Sequence, residues 1–109
     1  MQDLLSLYLY IKNKYHNYQT IEYSETEILI VFHGTLEMKI RLEGYFGIYF
    51  NNIFYYDVEW QDIRDTIDDF FTNQYAICEK NKKLKIVKKE KFRENGKYNH
   101  VWTIEKVLK

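Results

Sequence analysis

The feature that most constrains this fold is a strict alternation of apolar and polar side chains at 35–42, which reads TLEMKIRL. A period of two sends successive side chains to opposite faces of an extended chain, and no helix reproduces it. One face is apolar and the other is charged: Leu36, Met38, Ile40 and Leu42 against Glu37, Lys39 and Arg41. The segment is therefore predicted to be a strand with one face on a core.

Shorter segments of strand character surround this one and are separated by turn residues. The predicted strands are 20–24, 27–33, 35–42, 45–50 and 53–56, with turns at 24–25, 33–35, 43–44 and 51–52. Connections this short join neighbouring strands that run in opposite directions. The region predicts an antiparallel meander sheet of four or five strands.

A helix is predicted on each side of the meander. Asp3 is a suitable N-cap for a helix over 4–14, and Asp57 for an amphipathic helix that extends to 71. The apolar side chains of the second helix share one face: Trp60, Ile63, Ile67, Phe70 and Phe71. Its acidic side chains are expected on the opposite face, in water: Asp62, Asp65, Asp68 and Asp69.

The C-terminal part is basic and is predicted to form a β-hairpin. Strands at 83–92 and 98–106 would pair about Asn95–Gly96, a dipeptide that type I′ turns favour because both positions take positive φ. The resulting cross-strand pairs are Lys89 with Trp102, Lys91 with His100, and Arg93 with Tyr98. The alternative for the last nine residues, VWTIEKVLK, is a short helix.

The predicted fold class is a small single α+β domain over residues 1–109. A hydrophobic fraction of 46% and an aromatic fraction of 18% are sufficient for a core and exclude disorder. No apolar run approaches the ~20 residues that span a bilayer. The single Cys78 cannot form an internal disulfide, so we expect a cytoplasmic protein without membrane association.

Opposite charges are segregated along the chain, although its formal net charge is zero. Residues 1–79 contain five Lys/Arg and thirteen Asp/Glu, a net charge of −8. Residues 80–109 contain eleven Lys/Arg and three Asp/Glu, a net charge of +8. Such asymmetry indicates either electrostatic partners or two halves that face each other in one fold.

The sequence contains no catalytic or metal-binding motif. The three histidines are scattered without a second His or Cys at metal-ligand spacing, and the four glycines are isolated. Cys78 has no neighbouring base in the sequence, and a buried inert thiol explains it. Carboxylates on an outward helix face lack the cleft that tunes catalytic carboxyl groups. We therefore expect a non-catalytic protein with no metal and no cofactor.

The first functional hypothesis is that the acidic helix face binds a protein partner. Its carboxylates would stand near the spacing of phosphates and occupy the basic groove of a nucleic-acid-handling enzyme. The residues proposed for this role are Glu59, Asp62, Asp65, Asp68 and Asp69. Exposed tyrosines would add aromatic anchors, with Tyr45, Tyr49, Tyr55 and Tyr56 as candidates.

In general character the chain resembles the small inhibitors that phages and mobile elements direct against bacterial defence nucleases, anti-CRISPR proteins among them. The resemblance lies in size, aromatic content, the acidic patch and composition, since 51 residues are Phe, Tyr, Ile, Asn or Lys, which have A/T-rich codons. It implies a nucleic-acid mimic that acts in the cytoplasm of a host cell. It rests on this character and on no motif.

The second hypothesis is that the basic hairpin binds single-stranded nucleic acid. Lys89, Lys91 and Arg93 would follow the phosphates, and aromatic rings would stack on unpaired bases. Those rings are Tyr98, His100 and Trp102. The neutral overall charge argues against strong binding to duplex DNA. In a third alternative the two charged surfaces meet, within one molecule or between the subunits of a homodimer.

Overall fold

The computed structural model describes residues 3–32, 36–73, 75–93 and 96–105. Helix α1 (Leu4–Lys14) is followed by five strands: β1 (Thr20–Tyr23), β2 (Glu27–Val31), β3 (Glu37–Glu43), β4 (Tyr45–Phe50) and β5 (Ile53–Val58). Next come helix α2 (Trp60–Asn73), strands β6 (Tyr75–Lys80) and β7 (Lys83–Lys88), one 3-10 turn (Lys89–Lys91) and strand β8 (His100–Trp102). The predicted α+β fold class is confirmed.

The predicted meander is confirmed as a five-stranded antiparallel sheet in the order β1-β2-β3-β4-β5. The alternation at 35–42 sets its register, because Ile40 pairs with Ile28 on one side and with Ile48 on the other. All three side chains are fully buried. The predicted turn at Asn51–Asn52 is also observed, and both residues have the positive φ that asparagine tolerates. The predicted turn at 33–35 lies outside the described residues.

Both helices contribute to the core on the inner face of this sheet. The predicted N-cap of α1 is confirmed, since the Asp3 carboxylate accepts a hydrogen bond of 2.8 Å from the Ser6 amide. Four members of the predicted stripe of α2 are buried: Ile63, Ile67, Phe70 and Phe71. The fifth, Trp60, is half-buried and its ring lies 5.5 Å from that of Phe46. Apolar periodicity therefore identified the inward faces correctly.

The predicted N-cap of the second helix is wrong. Helix α2 begins at Trp60, and Asp57 instead lies in β5, where it pairs with Gly47. The strand continues to Val58 because that side chain is buried opposite Phe46. Burial of one more apolar residue outweighs an early helix start.

The predicted C-terminal hairpin about Asn95–Gly96 is wrong. The basic strand β7 pairs with β6 through a two-residue turn at Asn81–Lys82, and β8 pairs with the other side of β6. The second sheet therefore has the order β7-β6-β8. The reason is that Ala76, Ile77 and Cys78 are buried, which suits a central strand covered on both faces.

Each of the predicted cross-strand pairs is consequently absent from the described part of the sheet. Trp102 pairs with Ile77 and His100 with Glu79, while Lys89 and Lys91 lie in the 3-10 turn. Residues 100–102 form a strand, so the helical alternative is also wrong there. Asn95 and residues 106–109 lie outside the described residues.

Candidate binding surfaces

The second sheet has two faces with different neighbours. One face carries Ile77, Ile86 and Trp102, which join the main core. The other face carries Ala76, Cys78 and Val101, which form a small second core with Val87, Phe92 and Tyr98. Phe92 and Tyr98 come from residues 89–93 and 96–98, which we call the crossing segment, and pack against this second face.

Basic side chains surround this small core. Register places Lys80 directly opposite Lys83, and Lys85 opposite Cys78, on the second face of the sheet. Like charges opposite each other destabilise a strand pair, so Lys80 and Lys83 favour an anion between them. The crossing segment adds Lys91, Arg93 and Lys97 to the same surface. We call these six residues, with Phe92 and Tyr98, the basic groove.

The basic groove consists of two adjoining cavities. The first, of about 240 Å³, is lined by Lys80, Asn81, Lys83, Leu84, Lys85 and Tyr98. The second, of about 160 Å³, is lined by Cys78, Lys85, Val87, Lys91, Phe92, Arg93, Lys97 and Tyr98. Lys85 and Tyr98 line both. Among the residues that the structure describes, none that lines either cavity is acidic, and the cations converge on a concave surface.

The cations of the first sheet are held differently. Lys39 and Arg41 lie 3.8 and 3.6 Å from the carboxylate of Glu27, and Arg41 lies 3.1 Å from that of Glu43. In the described ranges no ion pair engages the groove residues Lys80, Lys83, Lys85, Lys91 and Arg93. Arg93 donates to the backbone oxygen of Phe92 at 3.0 Å. The groove therefore keeps charge available for an external anion.

The structure brings together only part of the predicted basic site. Lys91, Arg93 and Tyr98 line the basic groove, as members of one surface. Trp102 is buried and, like His100, lies on the opposite face of β8, where the two rings stack 5.3 Å apart. Lys89 does not line either cavity. Tyr98 lies before β8, which begins at His100, so the alternation that puts His100 and Trp102 on one face does not extend to it.

Sequence reasoning missed four cations of the groove and one aromatic residue: Lys80, Lys83, Lys85, Lys97 and Phe92. The signal that could have found the first three is the apolar run YAIC at 75–78 before Asn81, an asparagine that tolerates a tight turn. A hairpin about Asn81–Lys82 puts Lys80, Lys83 and Lys85 on one face at once. No comparable signal identifies Lys97 and Phe92, because neither residue belongs to a helix or strand whose period would place its side chain.

The predicted acidic helix face is retained in part. Glu59, Asp62, Asp65 and Asp69 are exposed, and we call these four residues the acidic surface. Within the described part of the chain, no ion pair involves Asp62 or Asp65. The only arginine of α2, Arg64, lies over the rings of Tyr10 and Trp60, at 4.9 and 5.6 Å. Asp62, Asp65 and Asp69 stand on the convex outer side of α2, and none of the four acids lines the two cavities of the basic groove.

The prediction that Asp68 points into water is wrong. Asp68 is half-buried against α1, where its carboxylate accepts hydrogen bonds from the Tyr10 hydroxyl at 2.9 and 2.8 Å. It also accepts a hydrogen bond from the Tyr15 hydroxyl, and Lys14 lies 3.3 Å away. Tyr15 is fixed by stacking on Phe71, with ring centroids 4.2 Å apart. Asp68 stands beside the apolar stripe, so it meets the neighbouring helix instead of solvent.

This network shifts the pKa values of its members. Partial burial acts to raise the pKa of Asp68, but hydrogen bonds from Tyr15, Tyr10 and Lys14 outweigh it, and the pKa is lowered. Burial, and then the hydrogen bond to Asp68, raise the pKa of Tyr15 to about 12. The hydrogen bond with Tyr10 raises the pKa of Lys14, and Asp68 adds to this effect. Asp68 is therefore ionised and links α1 to α2 through these contacts, and we call it the clasp.

The predicted tyrosine anchors do not extend the acidic surface. Tyr45 and Tyr49 alternate with the buried Phe46, Ile48 and Phe50, so they lie on the outer face of the first sheet, away from α2. Tyr49 contacts Phe54 there, with ring centroids 5.4 Å apart. Tyr55 packs inward on Phe50 and Phe70, and the Tyr56 side chain lies outside the described residues.

Within residues 3–32, 36–73, 75–93 and 96–105, no cluster of three or more His, Cys, Asp or Glu side chains has the arrangement of a metal site. No helix in these ranges is long and apolar enough to cross a membrane. No family model matches the chain, and neither a curated protein nor a solved structure is significantly similar to it.

Proposed function

We propose that this protein is a non-catalytic nucleic-acid-binding protein that holds a phosphate backbone in its basic groove. The observation that carries the proposal is the convergence of six cations on one concave surface, none of whose described lining residues is acidic: Lys80, Lys83, Lys85, Lys91, Arg93 and Lys97. Phosphate contacts supply most of the affinity of nonspecific nucleic-acid binding, because bound cations release counterions from the polymer. The single Cys78 fits a reducing cytoplasm as the compartment.

The presence of some of these lysines also has a structural explanation, which is that they protect an edge strand from pairing with other molecules. Strand β7 is an edge strand, and lysine side chains on an edge discourage pairing with another molecule. That explanation applies to Lys83, Lys85 and Lys88 equally. It does not account for Lys91, Arg93 and Lys97, which come from a segment outside the sheet. Their position beside the edge strand favours anion binding.

A charge reversal on the two faces of β7 tests this proposal. Lys85→Glu with Lys83→Glu reverses charge inside the groove, whereas Lys88→Glu changes the same strand on the other face. We expect the double variant to lower the affinity for an oligonucleotide by about tenfold or more at low salt, and the control to change it far less. Wild-type affinity should fall by more than about tenfold between ~50 and ~200 mM salt. Equal losses in both variants, or a flat salt dependence, would contradict the proposal.

The second candidate function is inhibition of a nucleic-acid enzyme of bacterial defence through the acidic surface, as expected of a phage or mobile-element inhibitor of anti-CRISPR type. Asp62 and Asp65 support it, because their carboxylates are exposed and form no ion pair within the described residues. Charge complementarity to a basic groove raises encounter rates. The divergence of the carboxylates, the turning inward of Asp68 and the separate position of the tyrosines leave it less support than the basic groove has.

Affinity capture from a bacterial lysate after nuclease treatment tests the second candidate. A discrete protein that is captured by the wild type, and lost when Asp62, Asp65 and Asp69 are replaced by lysine, would support it. The matched control is Lys83→Glu with Lys85→Glu, which leaves the acidic surface unchanged. A partner that depends on the groove instead, or one that disappears with the nucleic acid, would contradict it.

A further inference from the structure

We infer that the basic groove takes an unpaired strand of DNA or RNA, with one base against the ring of Tyr98 and phosphates on the lysines of the two flanking cavities. This inference rests on the proposed function and specifies its ligand. The observation behind it is that Tyr98 and Lys85 line both cavities, so an aromatic ring stands between two groups of cations.

The cations belong to two cavities that share Tyr98. The first cavity has Lys80 and Lys83, and the second has Lys91, Arg93 and Lys97, with Lys85 common to both. A nucleic-acid strand has the same order, since each base is flanked by a phosphate on either side. Nonspecific single-strand sites generally combine a cationic path for the backbone with aromatic rings for the bases. The groove supplies both at adjacent positions.

The aromatic residues distinguish an unpaired strand from other polyanions. Tyr98 and Phe92 are half-buried, with one part in the small second core and one part lining the groove. A duplex keeps its base faces stacked inside, so an aromatic side chain gains nothing from it beyond phosphate contacts. Inorganic phosphate or an acidic peptide offers no flat ring for Tyr98. An unpaired strand has phosphates for the cations and exposed base faces for the aromatic rings.

Tyr98 is held in place by the packing beneath it. Its ring belongs to the small core formed by Ala76, Cys78 and Val101. The backbone amide of the next residue, Asn99, donates to the backbone carbonyl oxygen of Glu79 at 2.8 Å. The Asn99 side-chain oxygen accepts from the Asn81 amide at 3.1 Å, which joins this segment to the β6–β7 turn. The ring therefore has a fixed position relative to the lysines, so little order is lost on binding.

Fluorescence anisotropy with four labelled probes tests the inference. The probes are a thymidine oligomer and an adenosine oligomer of about 12 nucleotides, a duplex of the same length, and an abasic oligomer that keeps its phosphates. We expect both single strands to bind at least about fivefold more tightly than the abasic oligomer, which lacks bases to stack. We expect Tyr98→Leu to remove this difference and Tyr98→Phe to preserve it, because only the phenylalanine keeps the ring.

Each outcome distinguishes this inference from the proposed function. Equal affinity for the abasic oligomer, preference for the duplex, or an unchanged difference in Tyr98→Leu would overturn the inference and leave phosphate binding intact. Failure of all four probes to bind would overturn both. A thermal melt of Tyr98→Leu verifies folding. If that variant unfolds, the wild-type comparison of normal and abasic strands decides the question by itself.

Discussion

The acidic surface and the basic groove have comparable numbers of charges but opposite geometries. Three acids of the acidic surface, Asp62, Asp65 and Asp69, stand on the outer side of α2, and Glu59 lies directly before the helix. The other side of α2 is anchored by Ile63 and Ile67. The six cations of the groove come from β6, β7 and the segment that crosses them. On a helix the charges diverge into solvent, whereas a strand pair with a covering segment turns them toward a common space.

The contrast shows that charge density along a sequence does not indicate whether the charges converge on a concave surface. A diverging set of carboxylates exposes each group to water, where isolated charge interactions are worth only about 0–1 kcal/mol. Converging cations add their potentials in a concavity with low-dielectric walls, which concentrates an anionic ligand. Geometry therefore favours the basic region as the binding site, although the acidic helix is the clearer feature of the sequence.

The strongest test of the comparison is Phe92→Ala, which removes no charge. Phe92 supports the crossing segment on the small second core, so its loss should let Lys91 and Arg93 move away from the groove. We expect oligonucleotide affinity to fall by about tenfold or more at low salt, if convergence is what the site requires. Anisotropy titration measures it, and an unaltered affinity in a folded variant would show that the number of charges suffices.

Within α2, the inward carboxylate of Asp68 and the outward carboxylate of Asp65 can be compared through the stabilities of the variants Asp68→Asn and Asp65→Asn. Asp68 accepts hydrogen bonds from Tyr10 and Tyr15, so loss of its charge should lower the free energy of unfolding by about 1–3 kcal/mol. Asp65 is exposed on the same helix, and its substitution should change stability by less than about 0.5 kcal/mol. Urea denaturation at neutral pH measures both. Equal effects would mean that Asp68 is not a clasp.

The clasp also predicts that the free energy of unfolding depends on pH. The pKa of Asp68 is lowered in the folded protein, so its ionised form stabilises the fold above the ordinary value of 3.8. That contribution is lost as the pH falls from about 4 through the lower folded value. The difference in unfolding free energy between wild type and Asp68→Asn should therefore be constant near neutral pH and shrink in this acid range. If the difference between the two proteins instead grew as the pH fell, the result would contradict a lowered pKa for Asp68.

The smallest effect is expected from reversing the acidic surface. Asp62→Lys with Asp65→Lys should raise oligonucleotide affinity by no more than about threefold at ~50 mM salt, because salt screens distant charges. In the part of the chain that the structure describes, no ion pair joins these carboxylates to the groove. The gain should disappear at ~200 mM salt. A loss of affinity would mean that the acidic surface takes part in binding.

Sedimentation of the wild type at low and high salt completes the comparison by testing the homodimer alternative. If the acidic surface of one copy occupies the basic groove of another, the mass should be concentration-dependent at low salt and monomeric at high salt. We expect a monomer in both conditions, since the carboxylates of α2 diverge. A salt-sensitive dimer would identify a second copy of the chain as a competitor for the groove.

Local structure follows from the sequence alone. Alternation at 35–42 predicts β3 and the face of its apolar side chains, and the helical stripe predicts which side of α2 is buried. Both follow from the fixed periods of strand and helix, which a short segment carries without reference to the rest of the chain. The segregation of charge is likewise a property of residue order and needs no knowledge of the fold.

How distant segments meet depends instead on the tertiary structure. Strand β7 pairs with β6 and not with β8. In this arrangement β6 is the central strand, and Ala76, Ile77 and Cys78 are buried between a strand on each edge and a core on each face. Asp68 links the two helices because Tyr10 of α1 lies beside it. Phe92 and Lys97 line the groove although neither belongs to a helix or strand. Contacts of this kind depend on competition among segments for burial, and no local period encodes that competition.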